Sequence, residues 1–472
     1  MKGFTLTELI VALVITTVVV VATLPFVLIM IDNEERNKLE QEAYSLIKTA
    51  ENKCLQNKTN GLEQETWVRY ENGILFGDRV FYNAPRPKTG LIKVMPDCTV
   101  SMAIHNGKWC VQKKFVEVNI RLTDKEPIEC NLEIGAYVDV KYIEELIVAG
   151  YIPIANAEEL SQINQEKSMT YGHGTYWEDT YIGGLDKKYV QTNHIDFEAF
   201  SKWNAIGDKD NPFTGIYVGN NLDVINFKIK NNKSYQGLFG YLKDAEIYQV
   251  NIKEAEIEGE RILGILSGFS ENSLVREVRV TGEMNGTSEM GCLIGINQGH
   301  IINSSSRCRI TSNDNDAIAG GLVAVNSGEI DFSRATGIIL QSAIGGGLVG
   351  ELQGGYIRNC YATTSVQAKN ESGGLVGIIS GDSLIEKCYS VGKVEGENNI
   401  GGLVASKSGD FKGKIIYSYY DQAIVKKHNH LGEPLNETDL KQGKSYYNWN
   451  FDEVWRIDEN NNNGYPFLIM NQ

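Results

Sequence analysis

One short phrase, a glycine followed by two apolar residues, returns along the second half of this chain at nearly constant spacing. It reads Gly237-Leu238-Phe239-Gly240, Gly264-Ile265-Leu266, Gly291-Cys292-Leu293-Ile294-Gly295, Gly321-Leu322-Val323, Gly347-Leu348-Val349-Gly350, Gly374-Leu375-Val376-Gly377 and Gly402-Leu403-Val404. The leading glycines at 237, 264, 291, 321, 347, 374 and 402 are 27, 27, 30, 26, 27 and 28 residues apart. A second echo follows: Ile357-Arg358-Asn359-Cys360-Tyr361, Ile385-Glu386-Lys387-Cys388-Tyr389 and Ile416-Tyr417-Ser418-Tyr419-Tyr420. A self-similar period in the twenties is the mark of a solenoid, whose units bury their apolar face only by stacking on one another.

Composition decides what kind of solenoid. The chain has 472 residues, enough for two or three domains, with 42% hydrophobic residues and 48 glycines against 9 prolines. Glycine interrupts every apolar run, so helix pairs are excluded. Parallel strands about 4.8 Å apart with glycine at the corners fit, and seven coils would span roughly 35 Å. Over about residues 235 to 420 the pattern resembles the GLUG repeat of bacterial surface proteins. Asn211-Pro212-Phe213-Thr214-Gly215-Ile216-Tyr217 with Asp223-Val224-Ile225-Asn226-Phe227 resembles the entry coil of such arrays. Asn448-Trp449-Asn450-Phe451-Asp452, Val454-Trp455 and Tyr465-Pro466-Phe467 resemble their closing segment. A cap is needed because the last coil would otherwise expose a strand edge. The expected solenoid runs over 146–425 and its cap over 426–472.

The N-terminus carries a different message. Met1-Lys2-Gly3 is followed by Phe4-Thr5-Leu6-Thr7-Glu8, and then Leu9 to Ile31 is free of charge. As a helix this run would span roughly 35 Å, against about 30 Å of bilayer hydrocarbon. A cleavable secretory signal would be shorter and end in small residues, whereas Ala22-Thr23-Leu24-Pro25 is a poor cleavage site. A passive anchor gives no reason for Glu8, since a carboxylate costs about 2.5–3.5 kcal/mol near a membrane centre. Gly3-Phe4-Thr5-Leu6-Thr7-Glu8-Leu9-Ile10 closely resembles the class III signal of type IV prepilins and type II secretion pseudopilins. That resemblance implies prepilin-peptidase cleavage after Gly3, methylation of the Phe4 amine, and Glu8 as the acid that meets a neighbouring subunit's amine in a fibre. The leader of three residues is unusually short. Pro25 falls where such helices often bend.

Past Ile31, Leu39, Ala43, Leu46, Ile47, Ala50 and Cys54 follow helical spacing, with acids and lysines on the other face. The expected helix covers 4–60. From Thr66 onward short β-rich runs alternate with turns such as Asn106-Gly107, a hairpin signal. Packed on the helix, they would form a small pilin-like α+β domain over 61–145. The expected fold class is therefore mixed: a long N-terminal helix, a small α+β domain and an all-β parallel β-helix. Cys98 and Cys110 flank the hairpin and are a possible disulfide; Cys54 and Cys130 could pair instead, and the sequence leaves the connectivity open. Cys360 and Cys388 occupy equivalent places in adjacent coils, where stacked buried thiols are favoured over a bridge.

Catalytic chemistry finds little footing. The coils show no column of paired acids, and no Gly-x-Ser-x-Gly elbow occurs. Asp314 and Asp316 read as a polar loop. Asp458-Glu459-Asn460-Asn461-Asn462-Asn463-Gly464 partly follows a calcium loop, but its glycine is one place late and the bidentate acid is missing. His428-Asn429-His430 lacks a third ligand, and His173 and His194 read as isolated loop residues. No catalytic residue, metal or cofactor is expected. The net charge of −15 argues against nucleic acid. The resemblances imply a pilin that displays its solenoid for adhesion, and a head this large, hard to repeat along a densely packed fibre, points to a minor or tip-located subunit. The implied partners are other pilins, the prepilin peptidase, the membrane and a surface glycan or protein. The precursor would sit in the cytoplasmic membrane and the mature chain at the cell surface. A secretion pseudopilin and a surface polysaccharide-acting enzyme are the alternatives.

Overall fold

The structure is a computed structural model that describes residues 6–59, 66–71, 74–77, 85–95, 98–113, 120–124, 130, 140–175, 177–200, 203–312, 314–426, 428–459 and 461–469. Over 6–31 it describes backbone alone. The chain divides into two compact units, Met1–Asp139 and Val140–Gln472.

The first unit opens with α1, a 54-residue helix over Leu6–Thr59. Leu39, Ala43, Leu46, Ile47, Ala50 and Cys54, the apolar stripe of the sequence, are all buried. They meet Val68, Tyr70, Ile92, Val94, Val100, Met102, Ile104 and Val111. Those residues lie on β1 (Thr66–Glu71), β3 (Thr89–Val94), β4 (Val100–His105) and β5 (Cys110–Lys113). With β2 (Ile74–Gly77) and β6 (Arg121–Thr123) these strands form an antiparallel sheet in the order β2-β1-β3-β4-β5-β6. At the sheet-ward end of the uncharged run, Asp32 accepts hydrogen bonds from Lys108 and from Trp109 Nε1, the latter at 3.1 Å. The Lys108 bond is the chief reason the Asp32 pKa is lowered.

The second unit is a parallel β-solenoid of about eight turns, its strands stacked in register in three parallel sheets. Each coil advances one period: Ser267 pairs Ile294, Ile294 pairs Val323, Val323 pairs Val349, Val349 pairs Val376, and Val376 pairs Val404. The residues after each leading glycine, Leu322, Leu348, Leu375 and Leu403 among them, are fully buried. Each such leucine is worth roughly 1.5–3 kcal/mol of apolar burial. Their backbones continue the ladder, Leu322 N to Leu348 O, Leu348 N to Leu375 O and Leu375 N to Leu403 O, each 2.8 Å.

Glycine does not serve these corners by reaching positive φ, as its corner role in the repeat suggests. Gly321, Gly347 and Gly374 lie outside the left-handed region, but a Cβ on any of them would sit 2.0 Å from the next coil's glycine carbonyl. Close approach of backbones is the constraint. The left-handed corner belongs to other residues: Gln249, Glu277, Asn303, Phe332, Asn359, Lys387 and Tyr417 stack there with φ between 49° and 59°.

The residue after each of these corners turns inward. Ser304, Ser333, Cys360, Cys388 and Ser418 form one buried column. Each donates to the carbonyl two residues back: Ile302 at 2.9 Å, Asp331 at 2.8 Å, Arg358 at 3.1 Å, Glu386 at 3.2 Å and Ile416 at 2.9 Å. Several also accept the N–H of the preceding coil, Ser304 N to Ser333 Oγ at 3.1 Å and Cys388 N to Ser418 Oγ at 3.1 Å. Cys360 and Cys388 are thus free, buried stand-ins for serine, as the sequence favours.

The closing segment covers a flank of the rod and one strand edge. Tyr361 and Tyr389 stack at 5.1 Å on the outside of the second sheet, and Tyr446, Trp449, Trp455 and Leu468 bury them and Tyr419. Tyr389 Oη donates to Pro466 O at 2.5 Å. Strand Glu433–Leu435 pairs with Tyr419–Asp421 in parallel.

Two substitutions separate these corner types. Gly347→Val should cost about 3 kcal/mol or more, because a backbone carbonyl cannot give way as a side chain does. Lys387→Gly should stay within about 1 kcal/mol, since relief of the left-handed strain offsets the added chain entropy. Denaturant midpoints of the two variants check this; equal losses would refute the distinction.

Candidate functional site

Gly3 and Phe4 lie outside the described residues, and Glu8 lies on α1 where its side chain does. Among the described residues no helix is long and apolar enough to cross a membrane. The side chains of Leu9–Ile31 lie outside the described part of the chain.

The disulfides differ from the pairing expected across the hairpin. Cys98 joins Cys54 and Cys110 joins Cys130, so Cys98–Cys110 does not form. Cys98 lies just before β4 rather than within the hairpin, where the α1 residue Cys54 is its neighbour at 5.3 Å between Cα atoms. The Cys54–Cys98 bridge therefore ties the helix to the sheet. A third bridge, Cys292–Cys308, crosses the interior of one coil. The sequence reading misses it because no spacing rule links Cys292 to Cys308; in the stack Gly291 pairs with Gly320 and Ile294 with Val323, so Cys292 falls in the column of Gly321.

The histidines are less isolated than their sequence context suggests. Glu159, 1% exposed, accepts the backbone N–H groups of Ala155, Gly172 and His173 at 2.8–3.0 Å, and pairs with His173 Nδ1. His194 Nδ1 accepts from Asp223 N at 3.0 Å. His428 Nδ1 is 2.8 Å from Tyr420 Oη. Asp314 and Asp316 make a local polar turn, Asp316 N donating to Asp314 Oδ1 at 2.9 Å.

A charged cluster escaped the sequence analysis. His300, Glu329 and Asp331 bring their ligating atoms within 4.8 Å of one another on adjacent coils. The cluster already holds a cation. Arg358 lies one coil further on and donates to Asp331 from Nε (2.8 Å) and Nη2 (3.0 Å), and to Glu329 at 2.5 Å. These carboxylates, Asp331 foremost, raise the Arg358 pKa. This fork–carboxylate pairing staples two coils, and the contact of His300 Nε2 with Asp331 at 2.7 Å adds a third. Its signal in the sequence is faint: Asp331 and Glu329 are 27 and 29 residues from Arg358 and look unrelated until the period is imposed.

An opening lies at the C-terminal end of the stack. A cleft of about 1010 Å³ runs between Val394–Ile400 of the last coil and Ala423–Asn429. Ile400, Val394, Ile424 and Val425 give it an apolar floor, with Lys369, Lys393, Lys426, Glu395 and Glu397 at the rim. This geometry suits binding and brings together no nucleophile with a base.

No family model matches the chain. Halomucin of Haloquadratum walsbyi is 30% identical over 108 residues, which cover 22% of this chain and 1% of that protein. A Bacteroides ovatus crystal structure, described as a candidate immunoglobulin A1 protease, aligns with TM-score 0.47 and 16% identity. The alignment covers 69% of this chain and 94% of that one. A structure named IgA1 protease aligns with TM-score 0.39 and 14% identity, over 76% of this chain and 28% of that one.

The Glu159 contact makes a pH prediction. Hydrogen bonding to Glu159, the largest cause, raises the His173 pKa above 6.5. The stability this adds is complete below pH 6.5 and is lost as pH rises through the raised midpoint. NMR titration should find His173 titrating above 6.5, and Glu159→Gln should bring the midpoint back toward it.

Proposed function

We propose that this chain is a non-catalytic surface protein of the type IV pilin kind, a minor or tip-located subunit that displays its β-solenoid for adhesion. The observation that carries the reading is α1. It continues without a break from beside Glu8 to Thr59, about 80 Å at 1.5 Å per residue. Its second half is buried on an antiparallel sheet while its first half carries the uncharged run. A helix with one end docked and the other bare of charge suits a subunit held in a membrane before assembly and in a fibre core afterwards. Glu8 would then be neutralised by the methylated Phe4 amine of a neighbour, which removes the cost of a lone buried carboxylate.

Three disulfides support an exported protein, because such bridges persist in oxidising compartments. The bulk of the second unit argues against a secretion piston, whose subunits crowd along the fibre. The acidic surface supports a glycan or protein ligand over nucleic acid.

Intact-mass spectrometry of membrane-derived protein tests the proposal. The mature chain should begin at methylated Phe4; a start beyond residue 20 would replace the pilin reading with an ordinary secretory signal. Glu8→Ala should insert into membranes normally or more readily, and its incorporation into fibres should fall. Unchanged fibre content by immunogold labelling would remove Glu8 from assembly.

A further inference from the structure

The last coil is closed on some sides and open on one. Its strand Tyr419–Asp421 is covered by Glu433–Leu435, and the carbonyls of Val404 and Ala405 accept from Asn429 Nδ2 at 2.8 and 2.9 Å. The strands Val394–Gly396 and Asn399–Gly401 have partners only on the side of the preceding coil, among the described residues. Lys393 O accepts from Val366 N at 2.8 Å, so alternation along the strand turns the N–H and C=O of Val394 toward the cleft. Asn399 N donates to Asn370 O at 2.8 Å and Gly401 O accepts from Gly374 N at 3.0 Å, which turns those of Ile400 the same way.

Side chains repeat the message. Ile400 occupies an interior column whose earlier members, Met290, Ala319 and Ser372, are buried at 0% exposure, yet Ile400 itself is half-buried. An interior position has been left without its next coil. Across the cleft, Ile424 and Val425 stand where they would enclose an added strand. At the rim three lysines face two glutamates, a balance of +1 on a chain whose total is −15. Lys393 and Glu395 pair with each other at 2.6 Å, leaving Lys369 and Lys426 facing Glu397.

We propose that this cleft binds an extended peptide segment of a partner protein, which adds as a further parallel strand beside Val394–Gly396 and Asn399–Gly401. Its inward residues are apolar, to lie on Val394 and Ile400, and its outward residues are acidic, to meet the lysine rim. Main-chain hydrogen bonds to the open edge give affinity and the alternate side chains give specificity. The inference is independent of how the N-terminus is processed and holds equally for a protein with no fibre.

The probe is a synthetic peptide with the sequence of Ser365–Gly373, which the fold already places in register with these strands on their other edge. A second peptide carries Glu in place of Gln367 and Lys369, and a third is scrambled. With the full chain, hydrogen exchange at the Val394 and Ile400 amides should be fast alone and slowed by the first two peptides. The acidic peptide should bind about threefold tighter at low salt. Val394→Pro removes the cleft-facing N–H, a change strand edges tolerate, and Val394→Ala is the matched control for the loss of the buried Val394 side chain. Val394→Pro should weaken peptide binding about tenfold relative to Val394→Ala. Exchange unaffected by peptide, slowing shared by the scrambled peptide, or equal binding to Val394→Pro and Val394→Ala would each overturn the proposal. So would light scattering that shows the chain closing this edge by dimerisation, since a second copy would then be the occupant.

Discussion

Every coil of the second unit depends on the backbone ladder to the next, and that ladder tolerates only a small set of residues at its tightest point. Where Gly321, Gly347, Gly374 and Gly402 meet, the main chains of neighbouring coils approach closely enough that a Cβ on Gly321, Gly347 or Gly374 would lie inside a carbonyl's contact radius. That closeness lets the leucine and valine behind each glycine pack in one buried core. The internal column of Ser304, Ser333, Cys360, Cys388 and Ser418 works at the opposite corner. It satisfies N–H groups that a sharp turn would otherwise strand in the core.

Outside the interior, the same stacking places charges 26 to 30 residues apart into contact. Arg358 reaches back to Asp331 and Glu329, Lys228 meets Glu256, and Lys243 meets Glu271. Exposed pairs of this kind are worth about 0–1 kcal/mol each, so they trim the register rather than create it. Arg358 with Asp331 is a partly buried case and has the fork geometry that makes such pairs stronger.

Much of the architecture was legible in the sequence because a repeat turns a three-dimensional question into a one-dimensional one. The glycine spacing identified the coils, and the apolar stripe of α1 identified the buried face of the helix. The Ile-x-x-Cys-Tyr echo marked the column that became Cys360 and Cys388. What stayed hidden was whatever couples positions that share no pattern. Cys54 finds Cys98 because the helix lies across the sheet, a packing fact that the hairpin spacing between Cys98 and Cys110 does not contain. Asn359 and Lys387 hold the left-handed corners because backbone stacking fixes φ there, whereas sequence reasoning assigns such corners to glycine. The open edge at Val394 and Ile400 emerges only when the chain is seen to cover some edges of the last coil and leave this one bare.

The central claim is that the second unit is a periodic stack whose register is set coil by coil. Deleting residues 349–375, one period by the Val349–Val376 pairing, removes a whole turn and rejoins Leu348 to Val376. Stability in such an array is close to a sum over units and their interfaces. The full-length chain with this deletion should therefore keep cooperative thermal unfolding and a β-type circular dichroism spectrum, at a modestly lower midpoint. Removing about half as many residues from the same start should abolish that transition, because the shortened coil could not pair with the coils on both sides of it. Equal tolerance of the two deletions, or equal collapse, would contradict the account.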